Sequence, residues 1–410
     1  MNTVHTITKL LFFVTALNAS AASERCDQNL KKLLLCLSER APSALRGRAL
    51  AHEGQVLGRV AREWRPGELS IEALKARANS TAGDSLLAKS LFSVDMVGVR
   101  KARQRAAEME SSERQLDSSL STQNTLLDGY LALVRIQLLR QEMRLLTETE
   151  KSLDKNLQEY RRRHQLSADQ DASKTIFMLA LQGLRQQRVL EEQETHGLVH
   201  DLETQIDETL NPSDANLPHL PEKWVSLKES SISPSALDIQ KINLLKSKAE
   251  ALATLSRKEK KPVLALGPSV EFNEFAGQSS YRIGLNLQAP LNLFNDFSGT
   301  AELAERSMAR AATEASTRQR ELTGEIEHAK EVYLSATAAL KESEPPTKTW
   351  ERIASVNTLF TRGLVPGSTV VEAMRQAMSS LQTHNELTYR AVQAFCKVRI
   401  AENKAEECWQ

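Results

Sequence analysis

The chain has 410 residues and a formal net charge of +1, with 26% charged and only 5% aromatic residues. So balanced a charge gives no global field to draw it to nucleic acid or an anionic surface. The mixture suits long solvated helices better than a compact globule. It also supplies too few Trp and Tyr for full aromatic girdles around a barrel.

The N-terminus comes first. Lys9 precedes the apolar run Leu10 to Leu17, and Ala19-Ser20-Ala21 follows with the small-x-small pattern of a signal-peptidase site. Residues 1–21 are expected to be a signal peptide. Beyond them no stretch approaches the roughly 18 apolar residues of a membrane-spanning helix. Entry into a membrane would therefore require strands in a closed barrel.

Export would place Cys26, Cys36, Cys396 and Cys408 in an oxidising compartment. If Cys26 and Cys36 flank one helix, their Cα atoms stand roughly 15 Å apart, beyond the ~7 Å reach of a disulfide. Two antiparallel helices predict a nested pairing instead, Cys36–Cys396 and Cys26–Cys408. Local pairing after helix fraying, or free thiols, are the alternatives. No cluster of His or carboxylates accompanies them at ligand spacing, so neither a metal nor a cofactor is expected.

Two tandem structural repeats follow, with residues 211–232, rich in Pro and Asn, as a connector leaving the bundle axis. Ala41-Pro42-Ser43-Ala44-Leu45 recurs as Ser233-Pro234-Ser235-Ala236-Leu237. The first repeat, 22–210, has expected strands at 67–75 and 85–93, a long helix 97–163, a turn 164–169 and a return helix 172–208. The second, 233–410, has strands at 263–275 and 281–294 and a long helix 299–362 broken at 345–346. A turn 363–368 and a return helix 369–405 complete it.

The clearest strand alternates Tyr281, Ile283, Leu285 and Leu287 with Arg282, Gly284, Asn286 and Gln288. Period 2 with one wet face fits a soluble hairpin and a membrane barrel equally. In the long helix, Leu127, Leu131, Val134 and Leu138 form a buried stripe. A helix of that length must pack in coiled-coil fashion. Val332, Tyr333 and Ala336 lie on a matching face of the second. His164 near Asp169 and Asp171 reads as a solvated turn, and Arg161-Arg162-Arg163 as a solvated helix face. No phosphate loop or nucleophile motif appears, so an enzyme is not expected.

This order, with Ala289-Pro290-Leu291-Asn292-Leu293-Phe294-Asn295-Asp296, Leu359-Phe360-Thr361-Arg362-Gly363-Leu364-Val365 and Val370-Val371-Glu372-Ala373, resembles the TolC family of outer-membrane efflux channels. The resemblance implies a mainly α fold with a small β part: a trimeric β-barrel joined to an α-helical tunnel. It implies a homotrimer in the outer membrane of a Gram-negative bacterium, most of each chain lying in the periplasm. The function implied is the exit duct of a tripartite efflux or type I secretion system. Its partners would be a periplasmic adaptor (membrane fusion protein), an inner-membrane pump and outer-membrane lipid. Tyr281, Ile283, Leu285 and Leu287 would face lipid, and Arg282, Asn286 and Gln288 the lumen. Leu166, Ser167, Gly363, Leu364 and Val365 would be the adaptor-contacting tips. The competing reading is a periplasmic coiled-coil scaffold or adaptor without a functional barrel.

Overall fold

The computed structural model describes residues 26, 29–63, 68–78, 81–94, 98–162, 167–212, 216–221, 223–227, 232–233, 236–259, 264–275, 278–288 and 298–409. The expected signal peptide, Leu166 and the Ala289–Asp296 segment lie outside them.

Helix α1, Leu30–Arg40, starts where the Asn29 side chain accepts a hydrogen bond from the Lys32 amide at 2.8 Å. Pro42 opens α2, Pro42–Arg62, at a position where a missing N–H costs nothing. Strands β1, Glu68–Ala78, and β2, Thr81–Val94, form the first hairpin. Helix α3, Val99–Arg161, runs for 63 residues, about 95 Å at 1.5 Å per residue. Helix α4, Ala168–Ile206, returns along it.

Helix α5, Leu237–Glu259, leads into strands β3, Leu264–Phe275, and β4, Gln278–Gln288. Helix α6, Ser298–Glu342, stops before Pro345-Pro346, and α7, Pro346–Thr361, resumes with Pro346 in its first turn. A proline inside a helix removes a hydrogen bond and clashes with the preceding turn, so the axis breaks where expected. Helix α8, Gly367–Ala401, and a short 3-10 turn, Ala405–Cys408, end the chain.

The first part of α3 lies between α2 and α5. Arg114 pairs with Glu53 at 2.8 Å, Lys241 with Asp117 at 2.7 Å and Arg103 with Glu259 at 3.1 Å. Further on, α3 packs against α1, α4 and α8. The main core gathers there: Leu33, Leu37, Leu133, Val134, Ile136, Leu138 and Ile206 are buried together with Val392 and Cys396. Of the stripe read from the sequence, Leu131, Val134 and Leu138 are buried and Leu127 packs half-buried against them. Among the described residues no helix is long and apolar enough to cross a membrane.

Three expectations need correction. Cys26 bonds to Cys36, with Cα atoms 5.9 Å apart, while Cys396 and Cys408 are free, so the nested pairs Cys36–Cys396 and Cys26–Cys408 do not form. The error lay in running one helix through both residues: α1 begins at Leu30, and Cys26 precedes it. The described part of the connector does not leave the bundle. Leu210 and Leu217 join the main core, Leu227 packs on Tyr333, and the Tyr333 hydroxyl donates to the Val225 carbonyl. The hairpin links are also shorter than expected, because residues 81–84 and 278–280 are strand. Gly83 and Asp84 look like turn formers, but ladder hydrogen bonds override that weak local preference.

Candidate functional site: the sheet and the helix turns

The four strands form one antiparallel sheet in the order β1-β2-β3-β4. Paired residues point to the same side, so the register shows which side chains share a face. Leu86 sits opposite both Ala73 and Phe272, and Phe272 opposite Tyr281. Ala88 likewise joins Ile71 to Val270, and Val270 joins Ile283. Leu266 pairs with Phe92 and Leu287. Leu69 and Leu285, the latter opposite Pro268, complete one face that is apolar across all four strands. Among the described residues nothing covers it: Tyr281, Ile283, Leu285 and Leu287 are 63–77% exposed, and Leu69, Ile71, Phe92, Leu266, Val270 and Phe272 are exposed with them. Soluble monomers rarely leave an apolar patch of this extent open.

The opposite face is largely polar, although Leu87 and Leu91 of β2 share it. Lys89 pairs with Glu72 at 2.8 Å, Asn273 donates to Glu271 at 3.0 Å, and Arg282 lies in register with Glu271. Asn286 and Gln288 share this side with Arg282. Gly267, which the sequence reading did not single out, sits directly against the Ser90 carbonyl, leaving no room for a Cβ. Among the described residues strands β1 and β4 each pair with one neighbour, which leaves the sheet two open edges of N–H and C=O groups.

At the far end of the bundle the two helix turns share one core. Leu153, Leu157, Tyr160, Phe177, Leu181, Val370 and Met374 are buried together, with Phe360 and Val365 packed on them. The Phe177 ring meets Phe360 edge-on at 5.3 Å and Tyr160 at 5.9 Å. Ser167 caps α4 through a box with Gln170, and Asp169 and Asp171 in that first turn complement the helix dipole. At the second turn Gly363 adopts a φ of +74°. Its N–H bonds to Phe360 at 2.8 Å, and that of Leu364 to Leu359 at 3.0 Å. This is the left-handed cap that ends a helix and satisfies its last carbonyls. Gly363 and Leu364 are exposed at the turn, whereas Val365 is held by the core. Gly367 admits Phe177 and Ser173, each 3.0 Å from where its Cβ would be, so α8 and α4 start side by side.

A buried polar network between α3, α4 and α8 carries no sequence signal, since its residues look like any polar helix face. Asn385 is fully buried and donates to Glu142 at 2.9 Å and to the Leu138 carbonyl at 3.2 Å. Glu191, also buried, accepts from Gln187 at 3.1 Å and Gln382 at 3.4 Å. Arg135 bonds Glu194 at 2.7 Å and lies 3.8 Å from Glu142. Burial, and secondarily the charge of Glu142, pushes the Glu191 carboxyl up to about 7. Burial also raises Glu142, against the opposing pull of Asn385 and Arg135. Among the described residues no group of three or more His, Cys, Asp or Glu is placed to hold a metal ion.

No family model matches the sequence, and no curated protein matches it. Solved structures do. The open-state MtrE outer-membrane channel of Neisseria gonorrhoeae superposes with a TM-score of 0.74 over 94% of this chain and 94% of that one, at 14% identity. The CmeC outer-membrane channel of Campylobacter jejuni gives 0.72 over 92% of this chain and 86% of that one, at 14% identity. The outer-membrane protein VceC of Vibrio cholerae gives 0.72 over 91% and 95%, also at 14% identity. Side-chain identity this low carries the architecture alone, and on that architecture the chain has the fold of the TolC-like outer-membrane channels.

Proposed function

We propose that the protein is the outer-membrane exit duct of a tripartite efflux or type I secretion system. The observation that carries this reading is the sheet: one face apolar and exposed on all four strands, one face largely polar, and, among the described residues, two open edges. A bilayer satisfies the first face, and a water-filled lumen the second. Edges that lipid cannot satisfy must pair with further strands, because every backbone polar group in a membrane needs a partner. Three copies of the sheet closing into one barrel remove every edge, and a cyclic homotrimer is the symmetric way to do so. Strand lengths of 11 to 14 residues reach across a hydrocarbon core that a tilted strand spans in about 9–11.

In this reading Tyr281, Ile283, Leu285 and Leu287 face lipid, and Arg282, Asn286 and Gln288 face the lumen. The helices extend the barrel as a tunnel through the periplasm of a Gram-negative cell. The chain is a tandem repeat so that each protomer supplies two hairpins and two turns. Residues 1–21 direct export and are removed. Ser167, Gly363 and Leu364, with Leu166, form the tips that meet an adaptor docked on an inner-membrane pump, and Val365 anchors the second turn from behind. No catalysis and no cofactor enter this role.

Fractionation of cells expressing the full chain tests the assignment. Recovery in the outer membrane, extractable only with detergent and as a trimer, is the expected result. Recovery as a water-soluble periplasmic monomer would point to the scaffold without a barrel.

A further inference from the structure

The two free cysteines are not scattered. Cys396, on α8, and Cys408, in the terminal 3-10 turn, are both buried in the main core beside Tyr130 and Val392, where Cys26 is buried too. The chain end reaches that place by a defined turn. Asn403 takes a φ of +60°, its N–H bonds to Ile400 at 2.9 Å, and the Lys404 N–H bonds to Arg399 at 2.8 Å. This Schellman geometry, with Asn in the left-handed position, doubles the chain back along α8. Arg399 then clamps the returning segment, pairing with Glu402 at 2.7 Å and Glu407 at 3.1 Å. Trp409 lands edge-on against Tyr130 at 5.2 Å, near the middle of α3. The Arg399–Glu407 pair thus brings Cys408 back beside the turn of α8 that carries Cys396, and both sulfurs are buried in one cluster.

We propose that Cys396 and Cys408 are a second disulfide site, the C-terminal counterpart of Cys26–Cys36, and that together the two local bridges fasten both chain ends to the bundle core. The bond comes from exchange with a donor protein disulfide or oxidised glutathione. The thiolate of one cysteine attacks a donor sulfur, and the second thiolate displaces the donor from the mixed disulfide. One Cys396–Cys408 S–S bond forms, two protons leave the protein thiols, and the donor departs as two thiols. Exchange takes place while the terminal turn is still open. Once the turn has closed, both sulfurs are buried in the core, so an external thiolate has no access to reverse the exchange. Inside cells the site depends on the export reading, since only an oxidising compartment supplies the donor.

Two measurements separate the site from its compartment. Full-length protein is extracted from cells in denaturant with an alkylating agent, digested without reduction and mapped by mass spectrometry. The expected result is no alkylated cysteine, with Cys26 linked to Cys36 and Cys396 linked to Cys408. Crossed peptides, Cys26 to Cys408 or Cys36 to Cys396, would overturn the proposal. In parallel, reduced purified protein is refolded in a mixture of oxidised and reduced glutathione and mapped in the same way. Formation of the Cys396–Cys408 bridge there supports the site, even if the cellular sample is fully alkylated; that combination would refute export. Alkylation of both Cys396 and Cys408 in the glutathione sample, while Cys26–Cys36 forms, would refute the site itself.

Discussion

Glu191 should make the stability of the bundle depend on pH, with a sign that follows from its surroundings. It is only 6% exposed, and its carboxyl is pushed from 4.5 up to about 7. At about 1.4 kcal/mol per pKa unit, that shift corresponds to roughly 3 kcal/mol. Below about pH 4.5 the group is protonated both folded and unfolded, and it contributes no penalty. Between 4.5 and 7 the unfolded chain releases its proton and the folded chain keeps it, so stability falls as pH rises. Above about 7 the full cost of a buried charge is present. Glu191→Gln keeps the carbonyl that Gln187 and Gln382 donate to and removes the charge. The variant should match the parent at pH 4.5 and exceed it by up to about 3 kcal/mol at pH 8. Urea unfolding in detergent, followed by far-UV circular dichroism at both pH values, measures the difference. An effect equal at both values, or a variant weaker at pH 8, would refute the reasoning.

Further predictions address the sheet and the turns. Ile283→Arg on the apolar face should cost about 2–4 kcal/mol of barrel stability in lipid, whereas Asn286→Arg on the polar face should fold normally in the same vesicle-refolding assay. Gly267→Val should prevent sheet assembly, seen as loss of trimer on a gel, because the new side chain would enter the Ser90 carbonyl. Gly363→Ala should cost about 1–2 kcal/mol through left-handed backbone strain alone, since nothing lies near the new Cβ. Gly183→Ala, equally open but inside α4, should instead stabilise by up to about 1 kcal/mol, and hydrogen exchange of the two segments compares them. Phe177→Ala, which empties the centre of the tip core, should cost about 3–5 kcal/mol and raise exchange first in the ends of α3 and α7.

How legible the molecule was depended on the range of the forces involved. The Tyr281 strand and the Leu131-Val134-Leu138 stripe could be read because burial imposes a period on neighbouring residues. The proline break at 345–346 could be read because it is a local covalent constraint. The turn at 363–368 was visible for a similar reason, since its glycines and proline punctuate the chain locally. The true disulfide partner of Cys26 was not, because it depends on where α1 starts, and Asn29 decides that by three residues. Nor was the packing of the connector: Leu210, Leu217 and Leu227 are isolated apolar residues whose partners lie on distant helices. Gly267 and Gly367 showed only as small residues, since the atoms they make room for belong to other strands and helices. The polar contacts of Asn385 with Glu142 and of Gln382 with Glu191 are the extreme case, assembled from three helices with no motif in any of them.

The central claim is that the exposed apolar sheet face is the outside of a closed, water-filled barrel. Reconstitution of the purified, detergent-extracted protein into a planar bilayer tests it most directly. The account predicts trimers that conduct in discrete steps, with conductance altered by charge changes at Arg282 and Asn286 and unaffected by conservative apolar exchanges at Ile283 and Leu285. Monomers that insert without conducting, or conductance insensitive to Arg282 and Asn286, would contradict it.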